Sequence, residues 1–395
     1  MSRIFVTGMG IISAIGKDLD TNRQALKDGK CGIRVLGLFP SRYSGILPCG
    51  EIGLQTEELR QILGAGQSVY TRTTLLAIHA FEEAIRHANW DKDFVQSPDT
   101  ALVSATTVGG MCLTDELYQD AHLASGGSPH LSSYDGGSVA LHLQSHYGLS
   151  GMINSINTAC SSSANAIMYG ARLIRHGFAK RAIVGGVDSL AKFTLNGFNA
   201  LHILAPDPCR PFDQDRKGLN LGEGAAFLVL ERAEDIHNRK VYAEYAGYGN
   251  SNDSYHPSSL SSAGDGPFLS MEQALIDARL DKEEIGYINA HGTGTENNDE
   301  SESRAMIRLF ENPPEFSSTK SNTGHTLGAA GAVEAVYSIM NLVHQEVYAG
   351  LHFNQPIQGT GLHPVVDYGA RRIEHVMSNS FGFGGNCTSL IFSKA

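Results

Sequence analysis

The chain has 395 residues, with 30 basic and 41 acidic side chains for a formal net charge of −11, 42% hydrophobic residues and 44 glycines. That balance describes a compact folded protein with many tight turns and excludes a disordered or fibrous one. It lacks the clustered Lys and Arg that nucleic-acid binding requires, and no apolar run reaches membrane-spanning length.

In chain order, a first strand over Arg3–Gly10 runs into a Gly-x-Gly turn, and a buried strand over Thr100–Gly109 ends in a Thr/Gly loop. A third short β-type run breaks at Asn157-Thr-Ala-Cys160-Ser-Ser into an amphipathic helix, with Ala164, Ile167, Met168, Ala171 and Ile174 on one face and Gly177 as the stop. Cys160 therefore stands at a helix N-terminus. Unpaired N–H groups and the helix dipole favour thiolate there, and such sites bring a cysteine from about 8.5 into the range of roughly 3.5 to 7.5. Arg181–Val187 and Ala225–Leu230 close the first half.

The second half starts again at residue 241. Val241–Gly249 repeats the first strand, Ile285–Gly294 repeats Thr100–Gly109, and Pro314–Ala335 repeats Gly151–Ala171. His375–Ser380 and Thr388–Phe392 form the closing pair. The predicted organisation is α/β, in two halves, 1–240 and 241–395, sharing one core. Cys160 in one half corresponds to His325 in the other, each at the end of a strand, where open sheets gather reactive groups. The remaining candidates are His291 in His-Gly-Thr-Gly-Thr295, Lys320 in Lys320-Ser-Asn-Thr-Gly-His325, and the Gly382-Phe-Gly-Gly385 loop.

The six cysteines (Cys31, Cys49, Cys112, Cys160, Cys209 and Cys387) show neither CxxC nor Cys/His metal spacing, which predicts reduced thiols and no metal site. The start, Met1-Ser-Arg-Ile-Phe-Val-Thr-Gly, lacks the layout of a secretion signal, and the cytoplasm is the predicted compartment.

Five motifs in order, Asn157-Thr-Ala-Cys160-Ser-Ser, Arg210-Pro-Phe-Asp213 with Gly222-Glu-Gly224, Ala290-His-Gly-Thr-Gly-Thr295, Lys320–His325 and Asn379-Ser-Phe-Gly-Phe-Gly-Gly385, cover essentially the whole chain. In them it resembles the β-ketoacyl-[acyl-carrier-protein] synthases of the Cys-His-His group. The resemblance implies a thiolase-like fold, with two pseudo-symmetric halves in five α-β-α-β-α layers, and a decarboxylative Claisen condensation of an acyl chain with malonyl-ACP. It implies Cys160 as acyl-carrying nucleophile and His291 and His325 as the pair serving the malonyl-type substrate. Lys320 would keep a histidine neutral with Glu302 as its counter-charge, while Asp299 and Glu300 read as an exposed helix start. By the same resemblance the N–H groups of Cys160 and Phe383 form an oxyanion hole, the Phe383 side chain gates the acyl pocket, Thr293 and Thr295 bind the pantetheine arm, and Val108 lines the acyl pocket. Substrates would arrive on the phosphopantetheine of an acyl carrier protein, with no cofactor of the enzyme's own. A homodimer is the family default, and a heterodimer with a related subunit is the alternative.

Some positions depart from the family pattern. Asn386-Cys387 replaces Thr-Asn after the gate, the Ala205–Cys209 loop is short, His202 stands where a basic residue is usual, and Ala105–Met111 is bulky at Thr106 and Thr107. These fall on carrier docking and acyl selection, which predicts an unusual acyl substrate or partner, as in a specialised polyene or polyketide system. A degradative thiolase is the nearest enzyme rival and would need a second catalytic cysteine; Cys387 is not read as one. A chain-length-factor subunit would lack the nucleophile that Cys160 supplies.

Overall fold

A computed structural model describes residues 2–66, 68, 70–123, 125–128 and 131–395. Ten strands make one continuous sheet: β1 (Ile4–Ser13), β2 (Thr100–Ala105), β3 (Ile153–Ile156), β4 (Arg181–Asp188), β5 (Gly224–Arg232), β6 (Ala243–Asn252), β7 (Tyr287–Asn289), β8 (Glu315–Ser317), β9 (His375–Phe381) and β10 (Asn386–Ser393). Their spatial order is β8-β7-β9-β10-β6-β1-β5-β4-β2-β3. Read outward from the centre, β1-β5-β4-β2-β3 and β6-β10-β9-β7-β8 are the same topology written twice, each strand matched by the one five later. The correspondences predicted from sequence follow that order. β1 and β6 join the two half-sheets through three antiparallel pairs, Ile4 with Tyr245, Phe5 with Glu244 and Val6 with Ala243.

Helices fill the layers. α1 (Arg72–His87) covers the outer face of β1 and β5, and α3 (Asp265–Ala278) covers β6 and β10. Between the half-sheets lie α2 (Ser162–Arg175) and α6 (Ala330–His344), which pack on each other and on strands of both halves, giving the five layers. α6 is buried continuously from Ala330 to Leu342, mostly through apolar side chains, with Glu334, Ser338 and Asn341 as its buried polar ones. Small residues let the pair approach: a Cβ on Gly331 would lie 2.6 Å from the Ala164 nitrogen. The remaining elements that bear on the site are α4 (Glu296–Phe310) and the one-turn α5 (Lys320–Thr323). The starts of α2 and α6 thus meet at the midline, so the segments entering them bring Cys160 and His325 together.

Candidate active site

Cys160 lies on the turn between β3 and α2. Ala159 before it has φ +54°, a left-handed conformation held by Ser162, whose Oγ accepts from the Thr158 N–H at 2.8 Å. The turn presses on the loop after β9: a Cβ on Gly382 would fall 2.7 Å from the Thr158 carbonyl oxygen and 3.2 Å from the Cys160 nitrogen, so only glycine fits there. Phe383 follows, half-buried, stacked on Phe198 with ring centroids 5.8 Å apart. Its N–H lies near the Cys160 sulfur, where it favours the thiolate.

The helix N-terminus does not make Cys160 an acidic thiol. The residue is only 6% exposed, and burial pushes its pKa up to about 11 against the opposing pull of the Lys320 charge and the Phe383 N–H. Cys160 precedes the cap residue Ser161, outside the first turn where the dipole acts most strongly. Desolvation wins.

His291 follows β7, and its loop is tied from below. Glu302 of α4 accepts the His291 and Gly292 N–H groups, each at 2.9 Å, and the Asn379 amide at 3.2 Å. Burial pushes the Glu302 carboxyl up to about 7 despite those bonds. Asp299 accepts from Gly294 and, at 2.8 Å, from Phe212. It is fully buried, which corrects its reading as an exposed helix start. His325 stands between α5 and α6, its N–H bonded to the Asn220 carbonyl at 2.7 Å and its carbonyl to the Gly222 N–H at 2.9 Å.

Lys320 is buried beneath His291. Its Nζ lies 2.6 Å from the His291 carbonyl oxygen and 3.2 Å from His291 Nδ1, and pairs with Glu334 of α6. Glu302 is therefore not its counter-charge. Glu302 faces the main chain of the loop that carries His291, and Glu334, one turn into the central helix, supplies the negative charge. The three donors of the ammonium match these three acceptors. An ammonium accepts nothing, so His291 Nδ1 is the acceptor and the neutral ring carries its proton on Nε2. Burial first, then Lys320, holds both imidazoles far below the usual histidine range.

Ligating atoms of Cys160, His291 and His325 all lie within 4.8 Å of one another. The imidazole rings meet edge to face with centroids 5.3 Å apart. They form the floor of a cavity of about 320 Å³ whose walls include Thr293, Thr295, Phe383 and His202. The Thr293 and Thr295 hydroxyls are 2.9 Å apart. Val108 packs in an apolar cluster with Leu190, Leu195 and Leu219, and Leu219 also lines the cavity. Asp188, which no sequence motif had marked, holds this segment. At the end of β4 it accepts from Thr106 Oγ1 at 2.6 Å and from the Val108 N–H at 2.8 Å, drawing the segment inward. Its only sequence signal is a carboxylate closing a fully buried strand, where charge demands donors.

Behind the gate, Asn386 Oδ1 lies 2.7 Å from Ser161 Oγ and accepts from Asn165 Nδ2 at 2.8 Å and Asn250 Nδ2 at 3.2 Å. The substituted position thus ties the gate to the nucleophile helix. Cys387 is buried with its thiol on the Gly385 carbonyl, and among the described residues lining the cavity Cys160 is the one cysteine. A thiolase's second thiol has no place here.

The geometry agrees with comparison to known proteins. The family models for the β-ketoacyl synthase N-terminal and C-terminal domains match residues 1–236 and 242–354. The chain belongs to the β-ketoacyl synthase family. The synthase is 34% identical to 3-oxoacyl-[acyl-carrier-protein] synthase 2 of Vibrio cholerae, with 99% of each chain covered. It is 31% identical to the mitochondrial 3-oxoacyl-[acyl-carrier-protein] synthase of Arabidopsis thaliana, over 99% of this chain and 93% of the other. Among solved structures it resembles the ishigamide ketosynthase/chain length factor, with TM-score 0.93 and 28% identity over 100% of this chain and 99% of that one. It also resembles the ketosynthase ApeO of Xenorhabdus doucetiae, solved with its chain length factor ApeC, with TM-score 0.87 and 31% identity over 100% and 98%. The synthase is accordingly an acyl-transferring condensing enzyme with a thiolase-like fold.

Proposed function

We propose that the synthase condenses an acyl group carried on Cys160 with a malonyl-type thioester, both delivered on the phosphopantetheine arm of an acyl carrier protein. The observation that carries this reading is the cluster of one thiol and two neutral imidazoles on the cavity floor. The proton positions divide the labour. His291 offers an N–H and no free lone pair, because Lys320 occupies Nδ1. Among the described residues His325 Nδ1 has no hydrogen-bond partner, so nothing fixes the tautomer of this ring, and with its proton on Nδ1 the other nitrogen takes the thiol proton as the sulfur attacks the carrier thioester and then returns it to the departing carrier thiolate. The N–H groups of Cys160 and Phe383 receive the tetrahedral oxyanion.

In the second step the malonyl C–C bond breaks, carbon dioxide leaves, and the electron pair passes into an enolate. Its oxygen is held by the His291 Nε2–H. The enolate carbon attacks the acyl carbonyl, and the Cys160 thiolate departs and takes up one proton from solvent, the proton that the condensation consumes. Decarboxylation itself generates the carbanion equivalent, so the chemistry calls for no resident metal or prosthetic group. Thr293 and Thr295 flank the entrance as hydrogen-bonding partners for the arm.

A second reading keeps this chemistry and places the chain as the ketosynthase subunit of a heterodimer. It is supported by two similar solved structures being ketosynthase/chain length factor pairs. We assign the cytoplasm as compartment; no described helix is long and apolar enough to cross a membrane. The deciding experiment incubates the protein with acyl carrier proteins bearing a panel of acyl chains and locates the added mass by peptide mass spectrometry. Acylation confined to Cys160 supports the reading, and no acylation from any donor overturns it. Brisk turnover of ordinary medium and long saturated chains would instead remove the case for an unusual substrate.

A further inference from the structure

Cys160, His291 and His325 have the donor set of a three-ligand zinc centre with an open fourth position: one sulfur and two imidazoles, buried, with their ligating atoms within 4.8 Å. A soft, borderline divalent cation reaching this floor through the cavity would cap the nucleophile. What surrounds the histidines argues against that outcome. A zinc-bound imidazole presents a lone pair to the metal and donates its other N–H to an acceptor such as a carboxylate or carbonyl. Here the outer nitrogen of His291 meets the donor-only ammonium of Lys320, and among the described residues His325 Nδ1 meets no acceptor.

We propose that Lys320 keeps the catalytic triad from becoming a metal site, by fixing His291 in the tautomer whose inward nitrogen carries a proton and by placing a positive charge behind it. For a metal to bind, His291 would have to move that proton from Nε2 to Nδ1, where Lys320 already donates. Lys320 in turn is held by the Glu334 carboxylate and the His291 carbonyl. Glu334 shares the ammonium with His291; with the lysine removed, it becomes the carboxylate on which an outer N–H could rest. The lysine is thus a positioning residue whose effect on metal binding is separate from its effect on the reaction. The inference rests on side-chain geometry and not on the identity of the acyl substrate.

The test is equilibrium binding of Co2+ and Zn2+ to the full chain, with the near-ultraviolet thiolate-to-cobalt charge-transfer band as readout. Lys320→Met and Lys320→Gln are expected to bind one metal about 10- to 100-fold more tightly than the unaltered protein. The band should vanish when Cys160→Ser is added. Lys320→Arg, which keeps the charge and the donors, should bind as weakly as the unaltered protein. The glutamine variant leaves Glu334 a polar partner, so it reports even if the methionine variant does not fold. Zinc should also shield Cys160 from iodoacetamide in the glutamine variant and not in the unaltered protein. Equal metal affinity in the unaltered, glutamine and arginine proteins would overturn the proposal, as would a cobalt site that survives Cys160→Ser.

Discussion

Lys320 and Glu334 form an ion pair sealed at the foot of the histidine pair, with side chains 2% and 3% exposed. Removing one partner of such a pair leaves an uncompensated buried charge. Glu334→Gln is expected to lower stability by about 3 to 5 kcal/mol in urea denaturation near neutral pH. Glu302→Gln should cost less, about 1 to 3 kcal/mol, because it strands only backbone and amide donors. The two should also differ in kind. Glu302→Gln should slow malonyl decarboxylation while Cys160 still accepts acyl groups, since it frees the loop of His291.

Cys160 should behave as a buried thiol. With its pKa pushed up to about 11, iodoacetamide alkylation should rise about tenfold per pH unit through pH 9 without levelling. A plateau below pH 8 would show that the helix terminus prevails over burial. Replacing Lys320 by Met removes a charge that lowers the thiol pKa and should slow alkylation further.

Gly382→Ala tests how closely the gate is set against the nucleophile. The added Cβ meets the Thr158 carbonyl at 2.7 Å and must displace either the gate or the cysteine turn. Misplacement near 1 Å costs on the order of 100-fold in rate. Acyl transfer to Cys160, followed by mass spectrometry, should fall by about that factor with little change in the melting temperature.

Asn386→Leu removes the oxygen shared by Ser161, Asn165 and Asn250 and should destabilise the protein by about 1 to 3 kcal/mol. A neutral effect in thermal denaturation would mean that these donors find other partners.

His325 links stability to pH. Its folded pKa lies below the unfolded value near 6.5, so below that pH the unfolded chain binds the extra proton and stability falls as pH falls. His325→Gln escapes this loss. Measured against the unaltered protein, the variant should therefore gain ground on acidification below about pH 6.5, by up to about 1.4 kcal/mol per pH unit.

Much of this architecture is legible before any coordinates. Small residues around Cys160, the matching Gly-His elbow at His325 and the doubled strand order point to two half-sheets whose helices meet at the midline, because period and turn chemistry are local properties. Partnerships between distant segments are not. Glu334 sits in a helix whose other residues read as uniform core, and nothing in its spacing tells that its carboxylate faces Lys320. Glu302 has the better-looking acidic setting, yet two backbone N–H groups claim it. Nor does the spacing of Asp188 tell that its carboxylate gathers the Thr106 hydroxyl and the Val108 N–H. The thiol's acidity was likewise misjudged, since a helix terminus is visible in sequence and the depth of burial is not.

The joining of β1 to β6 bears on how the enzyme comes into being. Ile4 must find both Arg232 and Tyr245, so the first strand to leave the ribosome cannot complete its pairing until more than half of the chain has followed. Such high contact order slows folding and leaves an apolar strand waiting. It also means that the reactive thiol is synthesised long before the two imidazoles that share its site. The site around Cys160 is complete only once β9 and β10 and the Phe383 loop between them have been made.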